Sequence, residues 1–164
     1  ARSENTEKDY FVKKIKLSEI IHQVMMQNKD YLLANNIIVE VENSEVIVAT
    51  DEKWVIFILN QIINNSIKYM DKKEKKIQMN VIEDKNKVIL KIKDNGCGIK
   101  ESDISRVFDK GFTGSNRKKE HSTGIGLYLC KKLCDRLHLN ITIESKEKEY
   151  TMVSIVFPKS SLHE

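Results

Sequence analysis

Two runs in the middle of the chain alternate apolar and polar residues: KIQMNVIED (76–84) and KVILKIKDN (87–95). A period of two places Ile77, Met79 and Val81 on one face of the first run, and Val88, Leu90 and Ile92 on one face of the second. The turn at Asp84 to Asn86 is tight, so the pair reads as an antiparallel hairpin with one buried face. A hairpin of this kind needs a cover, and that need constrains everything around it.

Amphipathic helices supply the cover. Ser18 is placed as the N-cap of a helix reaching about Ala34, with Ile20, Ile21, Val24 and Met25 on one face. Asp51 is placed as the N-cap of a longer helix through about Met70, with Val55, Ile56, Leu59, Ile62, Ile63, Ile67 and Met70 as its apolar stripe. A third helix is expected from about Thr123 to Leu137, carrying Ile125, Leu129, Leu133 and Leu137 at helical spacing. Short strands are expected at 12–17, IIVEV (37–41), VIVAT (46–50), NITIES (140–145) and TMVSIVF (151–157). The element order predicts an α/β fold: a two-layer sandwich whose mixed, mostly antiparallel sheet is covered on one face by three helices.

Composition narrows the class further. A chain of 164 residues, 40% hydrophobic, has the size of one domain. Its net charge of +4 is spread among acidic residues rather than gathered into an arm, which predicts a solvated surface and no nucleic-acid partner. Three cysteines, Cys97, Cys130 and Cys134, are an odd number for a disulfide framework and point to a reducing compartment. Cys130 and Cys134 are better explained by packing than by zinc, since no second ligand pair accompanies them. No apolar run approaches the ~20 residues of a membrane span. The opening ARSENTEKDYF reads as the tail of something longer.

Three polar features stand out from this scaffold. On the second helix Gln61, Asn65, Lys68 and Tyr69 share one face; an amide oxygen can ligate Mg²⁺, a lysine can neutralise phosphate and a tyrosine ring can lie against a base. Any amphipathic helix also has a polar face. Asp94-Asn95-Gly96-Cys97-Gly98-Ile99 follows a strand; its carboxylate can accept from an exocyclic amine, although a plain Asp-Asn-Gly turn has the same appearance. Ser122-Thr123-Gly124-Ile125-Gly126-Leu127 opens a helix after a basic loop holding Lys110, Arg117, Lys118 and Lys119. Helix N-terminal amides bind phosphate, but a GxG at a helix start is common by itself.

Taken in order, the motifs resemble the GHKL (Bergerat-fold) superfamily of ATP-binding domains, and within it the catalytic domain of sensor histidine kinases, from about Leu17 to Pro158. QIINNSIKY (61–69) is similar to its N box, DNGCGI (94–99) to its G1 box, VFDKGF (107–112) to its F box and STGIGL (122–127) to its G2 box. The resemblance implies ATP and Mg²⁺ as ligands. It implies that Asn65 is the metal ligand, with Asn64 as a rival, and that Asn65 and Lys68 are the catalytic residues. Tyr69 would lie beside the adenine and Asp94 would accept its amino hydrogen. Gly96, Gly98 and Ile99 would shape the base pocket, with Phe108 and Phe112 near it. Thr123, Gly124, Ile125, Gly126 and Leu127 would bind the nucleotide, with Gly124 and Gly126 hinging a mobile lid over the triphosphate.

Two positions depart from the pattern: Gln61 stands where many members have Asn, and Ser122 where the G2 box opens on Gly. In the hydrolytic relatives the position of Gln61 carries a glutamate that activates water. A neutral amide cannot act as that base, which points to a transferase. None of His22, His121, His138 and His163 has the acceptor context, so the resemblance places the phosphorylated histidine on an adjoining dimerisation domain. It implies residues 1–16 as linker from that domain's helices and 17–164 as the catalytic domain. The implied partners are that domain in a homodimeric parent, and the receiver domain of a response regulator. The fragment itself would be monomeric and cytoplasmic, with the parent in the cell membrane. A stand-alone serine kinase of the anti-sigma-factor type and a non-catalytic nucleotide-binding module are the alternatives.

Overall fold

The computed structural model describes residues 10–112 and 126–159. The predicted hairpin forms β4 (Lys75–Glu83) and β5 (Lys87–Asp94), with Ile77 opposite Asp94 and Val81 opposite Leu90. Asp84 closes the turn by accepting from Asn86 N at 2.7 Å and Lys87 N at 2.9 Å, and these two bonds hold its carboxyl below the usual carboxylate range. All six residues assigned to the buried face are buried.

The hairpin is the middle of a five-stranded sheet completed by β2 (Ile37–Glu42), β6 (Asn140–Lys146) and β7 (Tyr150–Pro158), in the order β2-β4-β5-β7-β6. Only β2 and β4 run parallel, so the sheet is mixed and mostly antiparallel as expected. A separate two-stranded sheet pairs β1 (Val12–Lys16) with β3 (Ile47–Asp51). Helices α1 (Leu17–Gln27), α3 (Glu52–Lys68) and α5 (Gly126–Arg136) are the three long helices, and their apolar residues share one core with the sheet. The opposite sheet face is polar: Lys76 pairs with Glu40 at 3.0 Å, and Gln78 donates to the same carboxylate at 3.2 Å.

Some local expectations are corrected. α1 starts at Leu17 without a side-chain cap, because Leu17 N and Ser18 N donate to Val46 O and Ser44 O, each at 2.8 Å. Those carbonyls satisfy two of the first amides of α1 and let the helix begin one residue before Ser18. The helix expected to reach Ala34 breaks at Asn28 into α1 and a short α2 (Lys29–Ala34). Asn28 Nδ2 donates to Val24 O at 2.8 Å and to Asn60 Oδ1 at 2.7 Å, a side-chain competition that interrupts a helix. On α5 the buried residues are Leu127, Cys130, Leu133 and Cys134, whereas Leu129 is exposed. A four-residue step overshoots the 3.6-residue turn, so a stripe read every four residues drifts off the buried face. A one-turn helix α4 (Glu101–Ile104) follows the glycine turn, in a stretch to which no element had been assigned.

Asp51 ties the start of α3 to the lead-in of β1 through one carboxylate. Its Oδ1 caps α3 by accepting from Trp54 N at 3.1 Å, and its Oδ2 accepts from Phe11 N at 2.6 Å ahead of β1. Asp51→Ala should therefore destabilise the domain by about 1–2 kcal/mol in urea denaturation, with Asp51→Asn costing less.

Candidate functional site

β5 ends on Asp94, which faces the helix layer and is only 7% exposed. A carboxylate in that position requires hydrogen bonds, and Gly96 N donates to its Oδ1 at 2.9 Å. The chain then turns through residues 95–99, gripped from two sides. Cys97 N donates to Tyr69 O at 3.0 Å, just past α3, while Lys148 N of the β6–β7 turn donates to Cys97 O at 2.6 Å. Ile99 N donates to Ser145 Oγ at 2.8 Å, and Lys72 Nζ to Gly96 O at 3.1 Å. Both glycines are required by space. A Cβ at Gly96 would sit 2.8 Å from Tyr69 O, and one at Gly98, whose φ is +70°, would collide with Lys146 O.

α3 faces this turn. Its apolar side is buried through Val55, Ile58, Leu59, Ile62, Ile63 and Ile67, and its C-terminal turns present Ile62, Asn65 and Ser66, with Tyr69 just beyond, to a cavity. The facing wall is Asp94, Cys97 and Gly98, and Leu127, Ile143, Thr151 and Val153 complete the lining. The structure thus brings together Asn65, Tyr69, Asp94, Gly98 and Leu127 from the residues expected at the site. Lys68 is exposed at the end of α3 and outside the lining; Gly96 and Ile99, both buried, and the half-buried Gly126 are also outside it. At Gly126 a Cβ would lie 3.0 Å from Gln61 Oε1, so the start of α5 sits against the N-box helix.

Ile99, Val107 and Leu127 form a small apolar cluster against which Phe108 and Phe112 pack, and Arg106 lies over the Phe112 ring at 4.9 Å. Thr123, Gly124 and Ile125 lie outside the described residues, together with Ser122, His121, His163, Arg117, Lys118 and Lys119.

Sequence reasoning missed Ser66, Lys72, Ser145 and Thr151. Ser66 was legible as the residue one helical turn past Ile62; the other three depend on strand pairing and on loop paths. The cysteines divide as their surroundings require. Cys97 is half-buried at the cavity, whereas Cys130 and Cys134 lie in the core, where Cys130 Sγ contacts Ile58 O at 3.7 Å. Burial, reinforced by Asp135 and partly opposed by Lys131, pushes the Cys134 thiol up to about 12; burial and then Cys134 push Cys130 upward as well.

Comparison with known proteins agrees with this architecture. The sensor histidine kinase YxdK of Bacillus subtilis is 34% identical over 153 residues, covering 92% of this chain and 47% of that protein, so the chain spans about half the length of this relative. The nucleotide-free catalytic domain of the histidine kinase ThkA superposes with a TM-score of 0.75 at 23% identity, over 91% of this chain and 96% of that domain. ThkA solved in complex with the response regulator protein TrrA gives a TM-score of 0.77 at 19% identity, over 99% of this chain and 46% of that one. Residues 50–161, which contain α3, the glycine turn and the sheet's central strands, match the family described as "Histidine kinase-, DNA gyrase B-, and HSP90-like ATPase", and the chain belongs to that family.

Proposed function

We propose that this domain binds ATP with Mg²⁺ and transfers the γ-phosphoryl group to a histidine on an adjoining dimerisation domain, as the catalytic domain of a sensor histidine kinase. The observation that carries the reading is the Asp94 carboxylate, buried at the end of β5 and sharing one cavity with Asn65 and Tyr69 of the α3 end. A buried acceptor suits the exocyclic amine of adenine, and the tyrosine ring suits its flat face. Gly96, Gly98 and Ile99 give the turn the close approach a planar base needs, while Phe108 and Phe112 anchor the segment that follows.

The donor set also suits Mg²⁺. The amide oxygen of Asn65, which lines the cavity, is proposed as the protein's ligand to the metal. Mg²⁺ accepts such an arrangement, because it takes hard oxygen ligands and keeps phosphates and water around it. A metal held there would neutralise charge on the triphosphate. Lys68 at the mouth end of α3 adds a second positive charge, and Thr123, Gly124, Ile125, Gly126 and Leu127 supply contacts on the phosphate side.

Gln61 favours transfer over hydrolysis. Its amide cannot take a proton from water, whereas an acceptor imidazole brings its own lone pair. In the transfer a ring nitrogen bonds to the γ-phosphorus, the bond from that phosphorus to the β,γ-bridging oxygen breaks, and ADP leaves with the electron pair. The phosphorylated ring then releases its N–H proton to solvent. The receiver domain of a response regulator would take the phosphoryl group onward, a role supported by the ThkA complex. Residues 1–16 are proposed as the end of the linker from the dimerisation helices, their last five residues pairing with β3 as β1. The parent is proposed as a membrane homodimer with this domain, monomeric alone, on the cytoplasmic side.

Three outcomes are expected. Asp94→Asn should abolish measurable ATP binding in calorimetry; unchanged affinity would remove the adenine assignment. In the folded domain a maleimide at pH 8 should label Cys97 and spare Cys130 and Cys134, whose thiols stay protonated until far higher pH, and MgATP should slow that labelling several-fold. Mixed with a separate dimerisation domain and radiolabelled ATP, the chain should place acid-labile phosphate on the added domain. Rapid steady ATP hydrolysis by the chain alone would instead sink the transferase reading.

A further inference from the structure

Ser145 and Thr151 belong to none of the four boxes, yet strand pairing places them in line with Asp94. On the helix-covered face the register sets Asp94 of β5 beside Thr151 of β7, and Thr151 beside Ser145 of β6. The Ser145 hydroxyl has three neighbours within bonding distance: Tyr150 O at 2.6 Å, Ile99 N at 2.8 Å and Thr151 Oγ1 at 3.0 Å.

Valence decides the direction of each bond. A backbone carbonyl can only accept, so the single Ser145 proton goes to Tyr150 O. The Ile99 amide can only donate, and it donates to Ser145. In the remaining contact Ser145 has no proton left to give, so Thr151 is the donor. That commits the only Thr151 proton away from the site. Thr151 lines the same cavity as Asp94, and toward any ligand there its oxygen offers lone pairs alone. The cavity wall therefore carries two acceptors side by side, one charged and one neutral.

We infer that Ser145 is a positioning residue that sets base specificity: by ordering the Thr151 proton it makes the Asp94–Thr151 pair accept from an amino-bearing purine edge and disfavour a keto-bearing one. The same hydroxyl fixes the glycine turn through Ile99. The inference rests on the ATP-site reading above. A 6-amino group brings two N–H donors to the two acceptors, while a 6-keto oxygen would face lone pairs with lone pairs. Sites built to bond one polar group reject an analogue that leaves their buried groups unpaired. With Ser145 removed, the Thr151 hydroxyl is released to rotate and can donate to a keto oxygen.

The test is calorimetric titration of ATP and of inosine triphosphate, which carries a 6-keto oxygen for the amino group and an N1–H for the bare N1, into the wild-type chain and four variants. The wild type should prefer ATP. Ser145→Ala should narrow that preference about tenfold, chiefly by improving inosine triphosphate binding relative to ATP, and Ser145→Thr should restore it. Equal weakening of both ligands, as a purely structural role predicts, or an unchanged ratio overturns the inference. Should Ser145→Ala fail to melt cooperatively, Thr151→Val and Thr151→Ser decide it. The valine variant should lose both ATP affinity and preference, the serine variant should keep both, and an unchanged ratio in the valine variant is decisive against. A wild-type chain that binds neither triphosphate overturns the ATP-site reading and this inference with it; ATP binding with an unmoved ratio overturns this inference alone.

Discussion

The glycine turn at 95–99 must close on two pieces of chain far from it in sequence, and the site exists only because it does. Cys97 is the pivot. Its N–H donates to Tyr69 O at the end of α3, and its carbonyl accepts from Lys148 N in the β6–β7 turn, so one residue ties the helix layer to the far edge of the sheet. The sheet order makes this geometry available. β7 inserts between β5 and β6, which carries residues 145–151 alongside the end of β5. Glycine is what lets the gap close, since a side chain at 98 would meet the Lys146 carbonyl and one at 96 the Tyr69 carbonyl. Asp94 is held by the same closure, because the amide that bonds its carboxylate belongs to Gly96.

The other half of the site is set by the rotation of α3 about its own axis, and that rotation is fixed by polar contacts as well as by the core. Asn60 Oδ1 accepts from Asn28 Nδ2 at 2.7 Å and Asn60 Nδ2 donates to Gln27 Oε1 at 2.6 Å, locking α3 to the α1–α2 junction. Ile58, Leu59, Ile62 and Ile63 are each buried to within about 1%. With both flanks held, Asn65 and Tyr69 have little freedom to leave the cavity. An amide pair of this kind gives direction that apolar packing alone does not, since hydrogen bonds are lost within a small rotation.

The central hairpin, the cap at Asp51 and the apolar stripe of α3 were legible because each rests on residues close together in sequence: an alternation, a side chain reaching three residues on, a period near 3.6. The four-residue stripe on α5 failed for a reason internal to helix geometry, and the break at Asn28 was hidden because its cause, Asn60, lies 32 residues away. At the site, Asn65, Tyr69, Asp94 and Gly98 were readable from a resemblance in motif order, and the structure brings all four to one cavity. Ser145 and Thr151 were not readable. Their role depends on which strand lies next to β5, and two hydroxyls in a pair of edge-side strands look like ordinary alternating polar positions until the register is known.

The contact between Gln61 and Gly126 separates what the fold needs at that position from what the chemistry needs. Space is tight there, since a Cβ on Gly126 would lie 3.0 Å from Gln61 Oε1. Glutamate has the same shape as glutamine, and a carboxylate close to the start of α5 would be favoured by the amides at a helix N-terminus. Packing and electrostatics therefore leave the position open to either residue. The amide changes only the chemistry: it can donate and accept hydrogen bonds, but it cannot hold the proton that a water molecule must lose to become a nucleophile. On the proposed reading, the neutral side chain would leave ATP to a nucleophile that arrives with its own lone pair.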